Sequence, residues 1–337
     1  MPTIKDVAQL AGVGVGTASR VLSGRGSFSA KAAARVASAV QALDFRPSTI
    51  ARALVTQVSG TIGVYVPDFK GRFYGPMLHA VESELRSHER HMVAANGCGQ
   101  ASMRRQAQDG VRFLMDRGCD GILVTTNALT DADLLAIQER FPHVAVVNRE
   151  VARMKAACFS VDHHAAGRLA ARAFLDHGHR RLAVIAGLAE APDNRQRLQG
   201  FFDELATAGI AREQVPCVDG HFTAKGGWEA SGALLVSGAQ FTGLFCCNDL
   251  MAMGAIARLH AAGKRMPAEV SVIGYDDADE MADYLSPSLT SIRIAIGDMG
   301  LNACRMLLNQ CYAMSLPLVR EFQPELVLRN SLGPAPM

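Results

Sequence analysis

The sequence predicts an α/β protein: a small three-helix head, a short hinge-like connector, and two successive lobes built on parallel sheets. Three observations carry that expectation. Residues 3–45 place apolar side chains at helical spacing, broken by glycine-containing turns. Residues 45–60 change to a stretch that has one proline at its start and offers little to bury. From residue 61 onward, short β-branched runs alternate with longer amphipathic stretches, the pattern of parallel strands covered by helices on both faces.

In the head, Thr3 is placed to cap a first helix, with Asp6 reaching back to it in a capping box. Ile4, Val7, Ala8 and Ala11 follow the helical period, and Gly12 stops the run. A second helix is expected over Val15–Ser23, with Val15, Ala18 and Leu22 on one side. Ser29 caps a third, whose buried stripe is read as Ala33, Val36, Ala37 and Val40. Helix, tight turn, helix, loop, helix is the shape of a minimal DNA-reading bundle. The glycines of GVGVGTAS do not make a dinucleotide loop, because that fingerprint follows a strand and IKDVAQLA has helical periodicity. The connector FRPSTIARALVTQVSG contains only a few turns of helix formers, too few to offset nucleation by themselves.

Beyond it, TIGVYVPD, HMVAAN, CDGILVTT and HVAVVN form one strand series, with helices expected near 75–90, 102–117 and 130–140. CFSVDH, RLAVIAG, GLFCCND and VSVIGYDD form a second, with helices near 165–177, 195–209, 223–237 and 250–262. Two similar lobes follow from two series. Ligands of such open sheets bind beyond the carboxyl ends of the strands. Those ends carry Asp68, Asn96, Asn148, Asp162, Asn248–Asp249 and Asp276–Asp277, a set of donors and acceptors suited to a polyhydroxylated ligand.

Composition narrows the classes. The 337 residues are 49% hydrophobic and 20% charged, which excludes a disordered chain. No apolar run approaches the roughly 18 residues a membrane span needs, and MPTIKDVAQL lacks the basic-then-apolar start of a secretory signal; a cytoplasmic protein with no membrane partner is expected. The eight cysteines show no C-x-x-C spacing, so they read as reduced thiols packed as small hydrophobes, and no histidine cluster suggests a metal or other cofactor. Net charge is +2, yet residues 1–60 hold seven basic residues against two acidic ones, +5, which leaves −3 for the rest. A basic head on a mildly acidic body points to a polyanion as the head's partner.

TIKDVAQLAGVGVGTASRVLSG followed by FRPSTIARAL resembles the head and hinge of the lactose/galactose-repressor (LacI/GalR) family of bacterial transcriptional regulators. The likeness continues through TIGVYVPD, CDGILV, FCCNDLMAMGAIARL, VSVIGYDD and SPSLTSI, and so covers nearly the whole chain. It implies a helix-turn-helix domain over 1–46, a hinge helix and linker over 47–60, and a periplasmic-binding-protein-like effector and dimerisation domain over 61–337. Lobe one would take about 61–160 plus 291–320, and lobe two about 161–290 plus 321–332.

By position, the resemblance offers Val15, Gly16 and Arg20 to base edges in the major groove and Thr17 and Ser19 to phosphate oxygens of operator DNA, with Thr3 in the same DNA-binding set. Arg20 is the residue of this set able to make bidentate bonds to guanine, worth about 1–3 kcal/mol of discrimination. In the hinge, Leu54 takes the place of the minor-groove wedge, Ala51 lies against the groove floor, and Ser48 stands where asparagine is usual. Gly16 and Gly14 are further departures: the first brings no side chain to the groove, and the second replaces a capping serine. IRIAIGDMG lacks the usual Gln-Pro.

For the effector the resemblance implies Phe73 and Tyr74 as aromatic cover, Asp193 and Arg197 as hydroxyl-binding groups, Trp228 as a stacking face, and Asn248 and Asp276 completing the polar set. The details look closer to the galactose branch than to the purine branch. A homodimeric repressor of sugar-metabolism genes, released from double-stranded operator DNA by a small sugar, is the expectation, with no enzymatic activity. An activator, or a regulator answering a non-sugar metabolite, stays open. An exported sugar-binding protein of a transporter shares the two-lobed fold, but the basic head and the missing signal segment argue against it.

Overall fold

The computed structural model describes residues 2–23, 26–45, 58–97 and 101–336. Contacts divide the chain into two units, residues 1–60 and 61–337.

In the first unit, α1 (Ile4–Ala11) opens on the Thr3–Asp6 capping box and closes on Gly12 at φ 59°, a left-handed conformation that glycine adopts without steric cost. α2 (Val15–Ser23) follows one turn later, and α3 (Ala30–Ala42) is capped by the Ser29 side chain. Val7, Ala8, Ala11, Ala18, Val36 and Ala39 form the small core, with Ile4, Val21, Leu22 and Val40 packed at its edge. Two expectations are corrected. Val15 is exposed rather than core-facing, and Ala37 is exposed while Ala39 takes its place in the α3 stripe. Both corrections are phase shifts of about one residue around the helix, which a short apolar pattern does not fix. The hinge residues Ser48, Ala51 and Leu54 lie outside the described residues.

The second unit holds two sheets. The first runs in the order β2–β1–β3–β4–β5, from β1 (Thr61–Val66), β2 (His91–Asn96), β3 (Gly121–Val124), β4 (Val144–Val147) and β5 (Cys158–Phe159). Its pairs are parallel, and α4 (Gly75–Ser87), α5 (Met103–Asp116) and α6 (Asp131–Arg140) connect them. The second sheet runs β11–β10–β9–β8–β6–β7, from β6 (Leu182–Ala186), β7 (Cys217–Asp219), β8 (Gly243–Cys246), β9 (Ser271–Asp276), β10 (Thr290–Arg293) and β11 (Glu325–Val327). Its helices are α7 (His163–Asp176), α8 (Pro192–Thr207), α9 (Ala224–Val236), α10 (Asp249–Ala261) and the short α11 (Met281–Tyr284).

Three details differ from the sequence reading. CFSVDH contributes its strand to the first sheet, where Cys158 and Phe159 pair with Val146 and Val147. The second sheet is not wholly parallel, because β11 pairs antiparallel with β10. β7 carries half-exposed CVD with little apolar signal, so no periodicity announces it. After β10 the chain returns to the first lobe as α12 (Ile296–Tyr312), which packs along α4, β3 and β4 and buries Met299, Ala303, Met306 and Leu307.

The second lobe positions α8 with little freedom. A Cβ on Gly167 would fall 1.9 Å from the Arg197 carbonyl, and one on Gly200 would fall 1.9 Å from that of His164. Only hydrogen fits at either place, so α7 and α8 cross in backbone contact. Phe201 stacks on Phe245 at 4.7 Å and meets Phe174 edge-on at 6.5 Å, fixing the helix against the sheet.

Candidate DNA-reading helix and effector cleft

On α2 the exposed residues are Val15, Gly16, Ser19, Arg20 and Ser23, with Thr17 half-buried beside them. The buried Ala18 anchors the opposite face. Arg20 lies back along its own helix, its Nε donating to the Gly16 carbonyl at 3.2 Å and its Nη2 to Thr17 Oγ1 at 3.4 Å. Thr3 is the cap of α1: its backbone N–H and its hydroxyl donate to Asp6 at 2.7 and 2.8 Å. A residue that the sequence reading passed over is Arg35, whose Nη2 donates to the Gly12 carbonyl at 2.8 Å. It ties α3 to the turn that sets the angle between α1 and α2.

In the second unit the carboxyl ends of the two sheets face one another, and the polar residues there converge. Arg197, at 2% exposure, is among the most deeply buried side chains. Its Nη2 donates to Asp193 at 2.8 Å, one helical turn earlier, and its Nη1 to the Cys247 carbonyl. The guanidinium lies 3.8 Å from the centroid of the Tyr275 ring and 5.7 Å from that of Phe222. Burial works against its charge, and the neighbouring Tyr275, Asp193 and Asp276 more than offset that effect, so Arg197 stays protonated.

Asp193 also accepts from Asn127 Nδ2 at 2.8 Å. Asn127 follows β3, so this bond joins the two lobes. A second bridge joins Arg72 Nη1 of the first lobe to Asp279 of the second at 3.0 Å. Tyr74, paired edge-on with Phe73 at 5.1 Å, has its hydroxyl pKa pushed up by burial and by the charges of Asp193 and Asp276, which places it at the same cleft.

His163, 1% exposed, opens α7. Its Nδ1 lies 2.6 Å from the Tyr275 hydroxyl, and burial followed by the Arg197 charge lowers its pKa to about 4. The imidazole is therefore neutral at physiological pH. Among the described residues, two buried atoms around this point, Asn148 Oδ1 and Arg197 Nε, lack a hydrogen-bond partner, while the His163 ring also bonds the Asn148 backbone. A buried polar group left unmatched costs about 1–3 kcal/mol, and two beside the His163–Arg197 group suit a hydrogen-bonding guest.

Asp276 ends β9 at φ 116°, followed by Asp277 at φ 45°, conformations that non-glycine residues adopt only when the surroundings hold them. Here Asp277 is gripped by Arg293 at 2.8 Å and by Arg329 at 2.8 Å, and its N–H donates to Asp249 at 2.7 Å. Burial raises the pKa of Asp276. Asn248 caps α10 through the Met251 N–H at 2.9 Å and donates to the Phe222 carbonyl at 3.3 Å.

Of the residues singled out in sequence, Tyr74, Asp193, Arg197, Asn248 and Asp276 are thus brought together, with Phe73 alongside Tyr74. Asp193 meets the cleft with both carboxylate oxygens already accepting. Trp228 is not among the group. It lies on α9, 39% exposed, with Arg258 of α10 at 5.3 Å from its ring. The aromatic ring beside Arg197 is Phe222, whose ring leans so closely over Gly187 that a Cβ there would lie 2.0 Å away. Phe222 sits in a left-handed turn after β7, and because β7 itself gave no strand signal, nothing in sequence placed its loop at the cleft. Asn127, His163 and Tyr275 were missed as well.

Comparison with known proteins fits this geometry at both ends. Residues 3–48 match the model of bacterial regulatory proteins of the lacI family, and residues 171–332 match that of a periplasmic binding protein-like domain. The HTH-type transcriptional regulator GalR of Escherichia coli (strain K12) is 34% identical over 334 residues, 99% of this chain and 96% of that protein. The chain belongs to the lacI family of bacterial regulatory proteins. A crystal structure of a transcriptional regulator of this family from Burkhoderia phymatum superposes with a TM-score of 0.80 at 46% identity, over 81% of this chain and 99% of that one. The lac repressor dimer bound to operator shares the fold at a TM-score of 0.85 and 24% identity, covering 98% of each chain. A DNA-binding transcriptional regulator with a ligand-binding domain is the function that this membership carries. Among the described residues, no helix is long and apolar enough to cross a membrane.

Proposed function

We propose that this chain is a homodimeric, cytoplasmic repressor of sugar-metabolism genes, of the galactose type, that leaves its operator when a small sugar enters the cleft. The observation that carries the effector half is the pair of unmatched buried atoms, Asn148 Oδ1 and Arg197 Nε, beside Asp276 and Tyr74. Such a mixed set of donors and acceptors suits the hydroxyls of a sugar ring, with Phe222 and Tyr74 as aromatic cover. The likeness to GalR supports the galactose type. No catalytic role is assigned to any residue.

In this reading the head spans 1–46 and the hinge 47–60, with Val15, Gly16 and Arg20 facing base edges, Thr17 and Ser19 facing phosphates, and Thr3 in the same DNA-binding set. By the family resemblance Leu54 takes the part of the minor-groove wedge, Ala51 that of the residue against the groove floor, and Ser48 stands in the place of the usual asparagine. One head reads half an operator, so two heads on a two-fold axis require a pseudo-palindrome with half-sites about one helical turn apart. Sugar and operator then oppose each other through the lobes, each weakening the other by a common factor, typically about 5–150-fold.

Fluorescence anisotropy with a palindromic duplex from the upstream region of its own gene tests this, run against random duplex at about 150 mM salt with and without D-galactose. Preference for the palindrome, relieved by sugar, is the expected result. Equal affinity for both duplexes would remove the operator assignment, and operator affinity indifferent to every sugar tried would remove the effector assignment.

A further inference from the structure

We infer that His163 is a positioning residue: its imidazole bridges the two lobes behind the cleft and sets the angle between them, on the same buried chain that carries Arg197. The inference needs only the two-lobed ligand-binding fold and stands apart from the sugar reading.

His163 is the first residue of α7, placed just after β5 leaves the first sheet, and its ring lies between one group of each lobe. On the second-lobe side, Nδ1 is 2.6 Å from the Tyr275 hydroxyl of β9. On the first-lobe side, the ring bonds the backbone of Asn148. Asn148 follows β4 at φ 63°, and its own N–H donates to the Phe159 carbonyl at 2.8 Å. The Asn148 bond favours the protonated ring, so the ring donates there, to a carbonyl. A neutral imidazole has one N–H. With that proton committed to Asn148, Nδ1 accepts and the Tyr275 hydroxyl donates. Burial and the Arg197 charge keep the ring neutral against the pull of Asp193 and Asp162.

The bridge is one link of a longer chain. Tyr275 lays its ring on the Arg197 guanidinium at 3.8 Å, Arg197 holds Asp193 at 2.8 Å, and Asp193 accepts from Asn127 of the first lobe at 2.8 Å. The contacts leave the first lobe at Asn148, cross the second, and re-enter the first at Asn127. A group that engages Arg197 is therefore felt at Tyr275 and, through His163, at the first lobe. The two partners of the ring lie on separate sheets, which a purely local packing role does not require.

The test is amide hydrogen exchange on the full-length protein without ligand at pH 7.5, joined to nitrogen NMR of its histidine rings. Tyr275→Phe removes the second-lobe half of the bridge and leaves the aromatic ring on Arg197. His163→Asn keeps an acceptor near the Tyr275 hydroxyl and loses the reach to Asn148. Each is expected to speed exchange about 3–10-fold, the worth of one hydrogen bond, at the remote residues 125–128 as well as around Asn148. Because the two halves act in series, the double variant should be no faster than the faster single one, a non-additive result. In the parent protein the His163 ring should be neutral with its proton on Nε2, a reading that does not depend on how either variant folds. A proton on Nδ1, faster exchange confined to residues 145–150 and 160–165, or additive effects of the two substitutions would each overturn the inference.

Discussion

The Arg72 guanidinium of the first lobe and the Asp279 carboxylate of the second lie 3.0 Å apart, with side-chain exposures of 64% and 27%. Together with the Asn127–Asp193 bond they hold the carboxyl ends of the two sheets against each other. A pair this exposed contributes only about 0–1 kcal/mol and weakens with salt. Arg72→Ala should therefore shift the balance of closed and open lobes modestly, by up to about five-fold, and raise the effector Kd by the same factor at low salt but not at 1 M. Calorimetric titration at the two salt concentrations checks this, and an equal effect at both would remove the electrostatic explanation.

Gly187 gives way to the Phe222 ring, so Gly187→Ala must move the ring or the strand end. Overpacking of this kind costs about 1–3 kcal/mol. Effector binding should fall more than global stability, because Phe222 covers Arg197 whereas the sheet beneath is untouched. Sugar affinity and melting temperature measured on the same preparation separate the two. A large drop in melting temperature with unchanged affinity would place the cost in the fold.

On α2, a Cβ added to Gly16 meets nothing within 4 Å. Gly16→Ala should accordingly gain helix propensity, about 1 kcal/mol, and stabilise the head with no packing penalty. If Gly16 faces base edges, the same change should alter the relative affinities of operators differing at the facing base pair. A stabilised head with an unchanged ranking of operators would take Gly16 off the reading surface.

Arg35→Ala should cost the head about 0.5–1.5 kcal/mol, the usual net worth of a hydrogen bond, by releasing the Gly12 carbonyl. The angle between α1 and α2 then loosens, so operator affinity should fall although Arg35 is absent from the face of α2. Amide hydrogen exchange at residues 9–14 is the direct readout. Unchanged protection there would contradict the bracing role.

The buried ionisable groups give opposed pH dependences. Burial raises the Asp249 carboxyl to about 7, so the folded chain holds a proton that the unfolded chain releases, and stability falls as pH rises from about 4 to 7. Asp276 is shifted in the same direction. Burial lowers His163 to about 4, so the folded chain lacks a proton that the unfolded chain carries, and stability rises as pH goes from about 4 to 6.5. His163→Gln should leave the acidic contribution unopposed, making the melting temperature at pH 6.5 minus that at pH 4.5 smaller than in the parent protein. Asp249→Asn should make the same difference larger. Melting curves at the two pH values decide both.

Much of the fold was legible because strong local signals agreed with the tertiary outcome. Thr3 and Asp6 box the first helix, Gly12 ends it at positive φ, and Ser29 opens the third. The alternating runs located nearly every central strand. What sequence left open depends on long-range geometry. Trp228 stood out as the lone tryptophan, but its place on α9 turns it toward Arg258, while Phe222 earns the central position only because Gly187, 35 residues earlier, leaves room for its ring. His163 looked like a helix-edge residue until β9 brought Tyr275 against it, 112 residues away. Cys217 was expected inside with the other cysteines and is exposed, whereas Cys246 and Cys247 are buried, because β7 sits at the sheet edge.

The route of the chain sets the order in which the molecule can be completed during synthesis. All five strands of the first sheet have been made by Phe159, yet the helix that covers β3, β4 and α4 is Ile296–Tyr312. A nascent chain therefore carries an uncovered apolar surface through the whole translation of the second lobe, a setting in which collapsed intermediates and aggregation become common. Truncations that end before residue 312 should yield insoluble protein rather than a free first lobe, and any attempt to produce that lobe alone will need Ile296–Tyr312 grafted back onto it.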